Sequence, residues 1–294
     1  PTAHSPRSAT YKLRAWYSFH LHSYSRLGRY RLSYAYESGA NQMKDRIVIT
    51  GANGHIGRRL IEKLGVEYEV RALVRSDKAA QMLAESSTDD VRIVDYTSEL
   101  AMTKALDGCV GVVHLVGIIR ESRYNSFVDA HEKATWALRH ASEATGIRQV
   151  VYLSVLGASV NSTNACLASK ANAERVLTES AFSSSILRVP MVLGANDHAS
   201  HAIAKRASST MAVTFRASSL EQPIDVDDVI AAVSACLELG IGGVMCLAGP
   251  DSVSRRVLYE RAGFNGLLIS LPMWLGMMVA GLLEWVSDTP PMTR

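Results

Sequence analysis

This sequence of 294 residues contains few cysteines and carries only a small net charge. The four cysteines, at positions 109, 166, 236 and 246, include no C-x-x-C pair, which excludes a disulfide-rich scaffold and a common zinc-ligand spacing. So few cysteines favour a reducing compartment. The net charge of +3 is too small to indicate a nucleic-acid partner. With 48% hydrophobic and 20% charged residues, the chain can form a globular core and is too apolar for a disordered protein.

Long uninterrupted hydrophobic runs are also missing. Residues 262–283 carry no charge, but Pro272 interrupts them and leaves only Met273–Leu283 before Glu284. A helix of that length rises about 16 Å, roughly half of the hydrocarbon core of a bilayer. We therefore exclude a polytopic membrane protein and predict a short apolar helix at Met273–Val286. This helix packs on the rest of the chain or, through residues 267–286, on a protein partner or a membrane surface.

The first 42 residues differ in composition from the rest. They carry six basic residues against one acid, Glu37, which leaves residues 43–294 with a net charge of −2. We interpret them as a disordered or non-native leader, because Met43 lies three residues before the first predicted strand and would make a natural N-terminus. Two alternatives stay open. One is a transit peptide, which would place the protein on the mitochondrial matrix side, and the other is a basic, aromatic arm that binds nucleic acid or a membrane.

From Arg46 onward, short apolar runs alternate with amphipathic stretches, which predicts alternating strands and helices. The predicted strands are 46–50, 69–74, 91–94, 110–116, 149–154 and 185–189, and the predicted helices are 56–64, 78–85, 99–106, 127–145 and 169–180. Such a pattern predicts a doubly wound α/β (Rossmann) fold whose parallel sheet is covered on both faces. We assign residues 43–194 to this domain and residues 195–294 to a smaller C-terminal lobe on the substrate side.

A glycine-rich turn joins the first predicted strand to the next helix, with Gly51, Gly54 and Gly57 following Thr50. In this context the first glycine allows a tight turn, the second lets a pyrophosphate approach the backbone, and the third lets the helix pack close to the sheet. The pyrophosphate then meets free N–H groups at the helix N-terminus. We therefore predict a dinucleotide site that contains Gly51, Asn53, Gly54, His55, Ile56 and Gly57.

The end of the second predicted strand indicates which dinucleotide binds. Arg75 stands near the position where an NAD site usually has an acid for the ribose 2′-hydroxyl, and an arginine suits a 2′-phosphate, with Arg58 nearby to assist. We expect NADP(H) as the preferred cofactor and NAD(H) as the alternative. Asp95 and Tyr96, after the third strand, are predicted to hydrogen-bond and cover the adenine. An N-cap of the following helix is a second role for Asp95.

The turn T-G-x-x-G-x-x-G at 50–57 resembles that of the short-chain dehydrogenase/reductase superfamily, in particular its extended and atypical branches with epimerase/dehydratase-like and NmrA-like members. Further stretches that agree with this resemblance lie at 113–117, 151–154, 169–174, 187–190, 193–194 and 222–229. The resemblance implies that Leu115, Val116, Gly117, Val189 and Pro190 line the cofactor. It also implies that Lys170 holds the nicotinamide ribose.

Residues 115–121, 271–274 and 290–294 carry a more specific resemblance, to the NADPH-binding accessory subunit of respiratory complex I and its bacterial relatives. This resemblance implies a cytoplasmic protein of a bacterium, located at the inner face of the membrane. Because chains of that family usually continue further, we expect the sequence to stop short of the natural C-terminus.

One departure from the superfamily bears on catalysis. Active members use Tyr-x-x-x-Lys, whereas the residue four positions before Lys170 is Cys166. The usual active-site serine has no secure equivalent, and Ser154 is the nearest candidate. The resemblance therefore implies that general acid catalysis of the usual type is lost and that the cofactor is structural or sensory. The alternative is an active reductase, epimerase or dehydratase whose proton donor is Cys166 or Tyr124.

Two other groups of residues have plainer interpretations. We interpret Cys166 as a small buried residue in preference to a redox-sensitive thiol, although Lys170 lies nearby in sequence. Asp225, Asp227 and Asp228 are interpreted as helix-capping and loop residues, because no histidine or further carboxylate follows at a spacing that suits a metal.

Overall fold

The computed structural model describes residues 44–272, apart from residues 85, 87, 89 and 196, together with residues 274, 275 and 278. The interpretation of residues 1–42 as a leader lies outside this part of the chain, as does most of the predicted helix Met273–Val286. The described residues form two compact units. The larger contains Lys44–Gly194 and Gln222–Ser252, and the smaller contains Ala195–Glu221 and the segment that starts at Val253.

The strands of the described residues are short, between two and seven residues each. In chain order they are β1 (Arg46–Thr50), β2 (Glu69–Val74), β3 (Asp90–Ile93), β4 (Gly111–His114), β5 (Gln149–Val155), β6 (Ser183–Val189), β7 (Val192–Leu193), β8 (Met211–Phe215), β9 (Leu220–Glu221), β10 (Ile224–Asp225), β11 (Gly243–Cys246), β12 (Val253–Ser254) and β13 (Leu267–Leu271).

Helices lie between most of these strands. They are α1 (His55–Leu64), α2 (Asp77–Gln81), α3 (Glu99–Leu106), α4 (Ala134–Thr145), α5 (Ala165–Thr178), α6 (His198–Ala207), α7 (Val226–Leu239) and α8 (Arg255–Arg261), and a π-helical segment, Val128–Lys133, leads into α4. Gly146 directly follows the predicted helix 127–145 and ends α4 in the left-handed conformation with φ 73°, which glycine adopts without strain. Asp225 caps α7 by accepting a hydrogen bond from the Asp227 N–H, which agrees with a capping role.

The larger unit has the predicted doubly wound architecture. Its seven strands follow the order β11-β6-β5-β4-β1-β2-β3, and every neighbouring pair is parallel. The chain order reverses between β1 and β4, where Thr50 is paired with His114. Doubly wound sheets bind ligands at such a switch point, beyond the carboxyl ends of the strands. The fold therefore directs attention to the loops after β1 and β4.

Adjacent residues of each strand enter two different cores, because side chains alternate across a sheet. Val48 of β1 packs in a core with α3, α4 and α5, whereas Ile47 and Ile49 pack in a second core with α1 and α7. All three residues are at most 1% exposed, and full burial of such a side chain contributes about 1.5–3 kcal/mol. Burial on both sides explains why the strands are continuously apolar in sequence.

The segment after residue 194 does not form one lobe. Residues 195–294 are predicted as a single C-terminal lobe, but α7 and β11 lie within this range and belong to the larger unit. The strand β11 pairs with β6 and adds a seventh, edge strand to the six that the sequence indicates. The smaller unit retains the parallel pair β8–β13, the antiparallel pair β9–β12 and the helices α6 and α8.

One face of the β8–β13 pair is apolar. Met211, Val213 and Leu267 share this face and are 56%, 45% and 63% exposed, respectively. Within the part of the chain that the structure describes, no helix combines the length and apolar character that crossing a membrane requires.

Candidate functional site

The turn after β1 requires glycine at two of its three predicted positions. Gly51 has a φ of +65°, and a Cβ placed on it would lie 3.3 Å from the carbonyl carbon of Leu115. A Cβ on Gly57 would lie only 2.6 Å from the carbonyl oxygen of Ala52, so no larger residue fits without movement of the backbone. The first and third glycines therefore have the roles that the motif predicts, a tight turn and close helix packing.

The N-terminus of α1 is open to a ligand's negative charge. Gly54 is the N-cap residue, no side chain caps the helix, and its first turn contains no acid. Uncapped N–H groups at a helix N-terminus carry partial positive charge and bind phosphate groups. The half-buried Asn53, His55 and Ile56 flank this turn, and Gly54 itself is exposed. These features fit the pyrophosphate of a dinucleotide.

Tyr96 holds the glycine turn in place. Its hydroxyl accepts a hydrogen bond from the Gly51 N–H at 3.0 Å and donates one to the Leu73 carbonyl at 2.7 Å. Burial of the phenol raises its pKa to about 12, so it remains a donor at any physiological pH. The residue is 9% exposed, and its hydroxyl links the ends of β1 and β2. Its predicted contact with the adenine stays a prediction.

Asp95 is exposed and forms a local turn. Its Oδ1 accepts hydrogen bonds from the backbone N–H and the hydroxyl of Thr97 at 2.9 and 2.8 Å. The N-cap of α3 is Ser98, whose hydroxyl accepts from the Ala101 N–H. The N-cap role considered for Asp95 is therefore wrong, because α3 begins only at Glu99.

Arg75 lies at the carboxyl end of β2 and is exposed. Its Nη1 donates a hydrogen bond to Oδ1 of Asn125 at 2.6 Å. Asn125 belongs to the loop after β4, and sequence reasoning missed it because the two residues lie fifty positions apart. Arg58, the suggested assistant of Arg75, is also exposed.

The loop after β4 contains three residues that are predicted to line the cofactor, Leu115, Val116 and Gly117. Leu115 is half-buried, like Val116, and its N–H donates to the backbone carbonyl and the hydroxyl of Thr50 at 3.3 and 3.2 Å. Gly117 follows, and a Cβ on it would lie 3.0 Å from Nζ of Lys170 and 3.3 Å from Nε2 of His131. The absence of a side chain at Gly117 thus allows the loop to approach Lys170 closely.

His131 connects this loop to α5 and was not predicted as a site residue. Its Nε2 accepts from the Ile118 N–H at 3.1 Å, so the ring proton lies on Nδ1, which faces the Ser169 hydroxyl at 2.7 Å. Ser169 in turn donates to the carbonyl of Cys166 at 3.0 Å. Burial lowers the pKa of His131 to about 4, which keeps the ring neutral.

His114 extends the same network to β1. Thr135 donates to the His131 carbonyl at 2.6 Å and therefore accepts from Nε2 of His114, while Nδ1 of His114 accepts from the Thr50 hydroxyl at 2.8 Å. Burial lowers the pKa of His114 to about 3. These hydrogen bonds, joined through the backbone and the ring of His131, connect Thr50 to the backbone of Cys166. They tie the end of β1 to the helix that carries Lys170.

Lys170 is held in a desolvated position. Its Nζ donates to the Leu153 carbonyl at 3.1 Å and lies 4.6 Å from the centre of the Tyr152 ring. Burial lowers the pKa of this amine from 10.5 to about 8, so both of its protonation states are accessible near neutral pH. Its position beside Gly117 is compatible with the predicted contact to a ribose.

Cys166 occupies the first turn of α5, one turn before Lys170. The helix starts at Ala165, earlier than the predicted residue 169, because the Asn164 side chain caps it by accepting from the Leu167 N–H. The thiol of Cys166 faces the Ile118 carbonyl at 3.8 Å. Burial raises its pKa above the ordinary 9.0, although the charge of Lys170 opposes this shift. The thiol therefore stays protonated at neutral pH, which argues against a reactive thiolate.

Ser154 is engaged elsewhere. Its buried hydroxyl donates to Oε1 of Glu174, a carboxylate that also pairs with the guanidinium of Arg188 through both oxygens. These hydrogen bonds link β5, α5 and β6 and leave Ser154 in a structural ion-pair cluster.

Three further predicted residues lie at the ends of strands or on loops. Val189 is buried at the carboxyl end of β6, and Pro190, which follows it, is half-buried. Tyr124 lies on the loop after β4 and is 85% exposed.

The chain is similar to known proteins over most of its length. The NAD(P)H-binding family model matches residues 51–238, well over half of the sequence. Subunit 9 of the NADH dehydrogenase [ubiquinone] 1 alpha subcomplex, mitochondrial, from Arabidopsis thaliana is 27% identical over 236 residues, which cover 76% of this chain and 59% of that protein. The chain spans only about half, 44–59%, of the length of the curated relatives it matches first.

Solved structures agree on the fold. WbmG of Bordetella bronchiseptica in complex with NAD superimposes with a TM-score of 0.66 at 16% identity, covering 80% of this chain and 84% of that one. The dTDP-4-dehydrorhamnose reductase of Bacillus anthracis in complex with NADP gives a TM-score of 0.64 at 17% identity, covering 80% and 86%. The predicted Rossmann fold is confirmed, and the extent of the family match shows that this chain belongs to the NAD(P)H-binding family.

Proposed function

We propose that this protein binds NADP(H) as a structural or sensory cofactor and is an atypical member of the short-chain dehydrogenase/reductase type. The observation that carries the proposal is the position of Cys166, one helical turn before Lys170, where a phenol would be needed. Its thiol is protonated and faces a backbone carbonyl, and its raised pKa makes it a weak acid at neutral pH. Ser154, the other candidate, donates its hydroxyl hydrogen bond to the Glu174 carboxylate.

The bound cofactor would supply a hydride, and a carbonyl substrate that accepts a hydride also needs a proton on its oxygen. The remaining residues support binding more directly than proton transfer. The open N-terminus of α1 suits the pyrophosphate and Arg75 suits a 2′-phosphate. The amine of Lys170, beside Gly117, suits a ribose hydroxyl.

The test is to identify the nucleotide that co-purifies with the protein by mass spectrometry and then to assay its oxidation. We expect NADP(H) to be retained and NADPH not to be consumed with quinones, sugar nucleotides or aldehydes. Steady turnover that is abolished by Lys170→Ala would instead establish an enzyme.

A second candidate function, an active reductase, epimerase or dehydratase, is favoured by one specific observation. The amine of Lys170 has a pKa of about 8 and lies beside Gly117, so it can release and regain a proton near neutral pH. In this alternative, Lys170 acts together with a proton donor that is not the usual tyrosine, because Cys166 occupies the position of that tyrosine. Cys166 and the exposed Tyr124 are the donors to test by substitution.

We also propose a docking role for residues 267–286, on a protein partner or on the inner face of a bacterial membrane. The exposed apolar face of β8–β13, with Leu267 at its start, supports this proposal. Trp274 and Met278 are 62% and 58% exposed. Co-sedimentation with anionic vesicles is expected to decrease for Leu267→Ser together with Val213→Ser. If the wild-type protein does not sediment with vesicles, the membrane is excluded as the docking surface. Cross-linking in cells then tests the protein partner.

A further inference from the structure

Asn125 lies beside Arg75 although nothing in its sequence context marks it as a binding residue. The two side chains share a hydrogen bond of 2.6 Å between Nη1 of Arg75 and Oδ1 of Asn125. Arg75 follows β2 and Asn125 lies in the loop after β4, and these two strands flank β1 in the sheet. The charge of Arg75 also acts on the hydroxyl of Tyr96, which holds the Gly51 turn, so Arg75 lies near the adenosine end of the predicted site.

The chemistry of this pair fixes the orientation of Asn125. A guanidinium group can only donate hydrogen bonds, so the carboxamide must present its oxygen to Arg75. Its Nδ2 amino group consequently makes no hydrogen bond to Arg75 and remains a donor beside the guanidinium. Among the residues that the structure describes, this amino group makes no hydrogen bond, and the Nε and Nη2 groups of Arg75 make none. Two side chains thus offer unused N–H donors next to each other.

The backbone of the loop holds Asn125 in place. The N–H of Ser122 donates to the Asn125 carbonyl at 2.9 Å, and the N–H of Asn125 donates to the Ser122 carbonyl at 3.2 Å. The Ser122 hydroxyl accepts from the Tyr124 N–H at 3.3 Å, and the Glu121 carboxylate accepts from the Phe127 N–H at 2.7 Å. A side chain on such a closed turn needs little reorganisation to bind a ligand.

We propose that Asn125 and Arg75 together bind a phosphate monoester, the 2′-phosphate of the cofactor, with Nδ2 of Asn125 donating to one oxygen and the guanidinium to the others. This inference rests on the proposed binding of NADP(H) and adds Asn125 as the residue that orients Arg75 and distinguishes a 2′-phosphate from a 2′-hydroxyl. A phosphate accepts several charge-assisted hydrogen bonds at once, whereas a hydroxyl does not need two converging donors.

The experiment compares the dissociation constants of 2′,5′-ADP and 5′-ADP by isothermal titration calorimetry, so that no catalytic activity is required. We expect the wild-type protein to prefer 2′,5′-ADP. Asn125→Ala should weaken 2′,5′-ADP about tenfold and leave 5′-ADP within about twofold, since one hydrogen bond to a charged group is lost. Asn125→Asp should weaken 2′,5′-ADP by about a hundredfold, because a carboxylate would both repel the phosphate and pair with Arg75.

Two controls make the outcomes distinct. Asn161→Asp introduces the same charge at another exposed asparagine of the larger unit and should leave both ligands unchanged. Arg75→Ala should remove the preference for 2′,5′-ADP. If the wild-type protein shows no such preference, the proposed NADP(H) specificity fails. If the preference exists and depends on Arg75 but neither Asn125 variant alters it, only the role of Asn125 fails. Tighter binding by Asn125→Ala would also overturn that role, since Asn125 would then compete with the phosphate for Arg75.

Discussion

Nζ of Lys170 lies 4.6 Å from the centre of the Tyr152 ring and donates a hydrogen bond to the carbonyl of the next residue, Leu153. The ring is fully buried and removes water from one side of the amine. This desolvation is the largest cause of the low pKa of Lys170, about 8, and the opposing effects of Cys166 and Glu174 do not cancel it. The amine of Lys170 therefore changes its charge within about a unit of neutral pH.

The low pKa of Lys170 predicts how stability depends on pH. Between pH 8 and 10.5 the unfolded chain holds a proton on this lysine that the folded chain has lost, so the free energy of unfolding rises with pH across this window. The full effect is on the order of 3 kcal/mol. Lys170→Met should remove this rise. Denaturant unfolding of both proteins at pH 7, 8, 9 and 10 measures the difference, and parallel curves would contradict the burial of the amine.

Gly54 and Gly57 should respond differently to a side chain. Gly54→Val should leave the chain folded, because its Cβ would meet only the Gly51 carbonyl oxygen, at 3.2 Å. It should abolish dinucleotide binding, because the valine side chain would block the N-terminus of α1. Gly57→Ala should lower the melting temperature, since its Cβ would lie 2.6 Å from the Ala52 oxygen. Fluorescence titration with NADPH and thermal melts separate the two effects. Unchanged affinity in Gly54→Val would remove the pyrophosphate from this turn.

The sequence predicts the elements whose signals are local. β1, β2 and α3 have the predicted bounds, because β-branched or apolar runs and a capping serine mark them directly. β11 was missed because Gly243–Cys246 is a short edge strand that is mostly exposed, and only its pairing with β6 makes it a strand. Residues His131 and Asn125 were missed for a similar reason, since their partners come from distant parts of the chain and nothing in the local pattern indicates the contact.

The two buried histidines predict sensitivity to acid. His114 and His131 have pKa values of about 3 and 4 in the folded chain, below the ordinary 6.5, so the unfolded chain binds protons that the folded one does not. The free energy of unfolding should therefore fall as the pH drops from 6.5 towards 4, by roughly 3 kcal/mol for each histidine. In His131→Phe this slope should be shallower, whatever the variant's stability at pH 7. Urea unfolding at pH 4.5, 5.5 and 6.5 provides the slopes, and equal slopes would contradict the neutral, buried state of His131.

Cys166 provides a direct test of whether the site contains an activated nucleophile. Burial raises the pKa of its thiol, and the nearby Lys170 only partly offsets this, so little thiolate is present at neutral pH. Cys246 is exposed and serves as the internal control. We expect iodoacetamide at pH 7 to label Cys246 before Cys166, with the ratio read from peptide mass spectrometry. In Lys170→Met the labelling rate at Cys166 should decrease, because a positive charge that stabilises the thiolate is lost. Faster labelling of Cys166 than of Cys246 in the wild-type protein would identify an activated thiol and favour the enzymatic alternative over a structural cofactor.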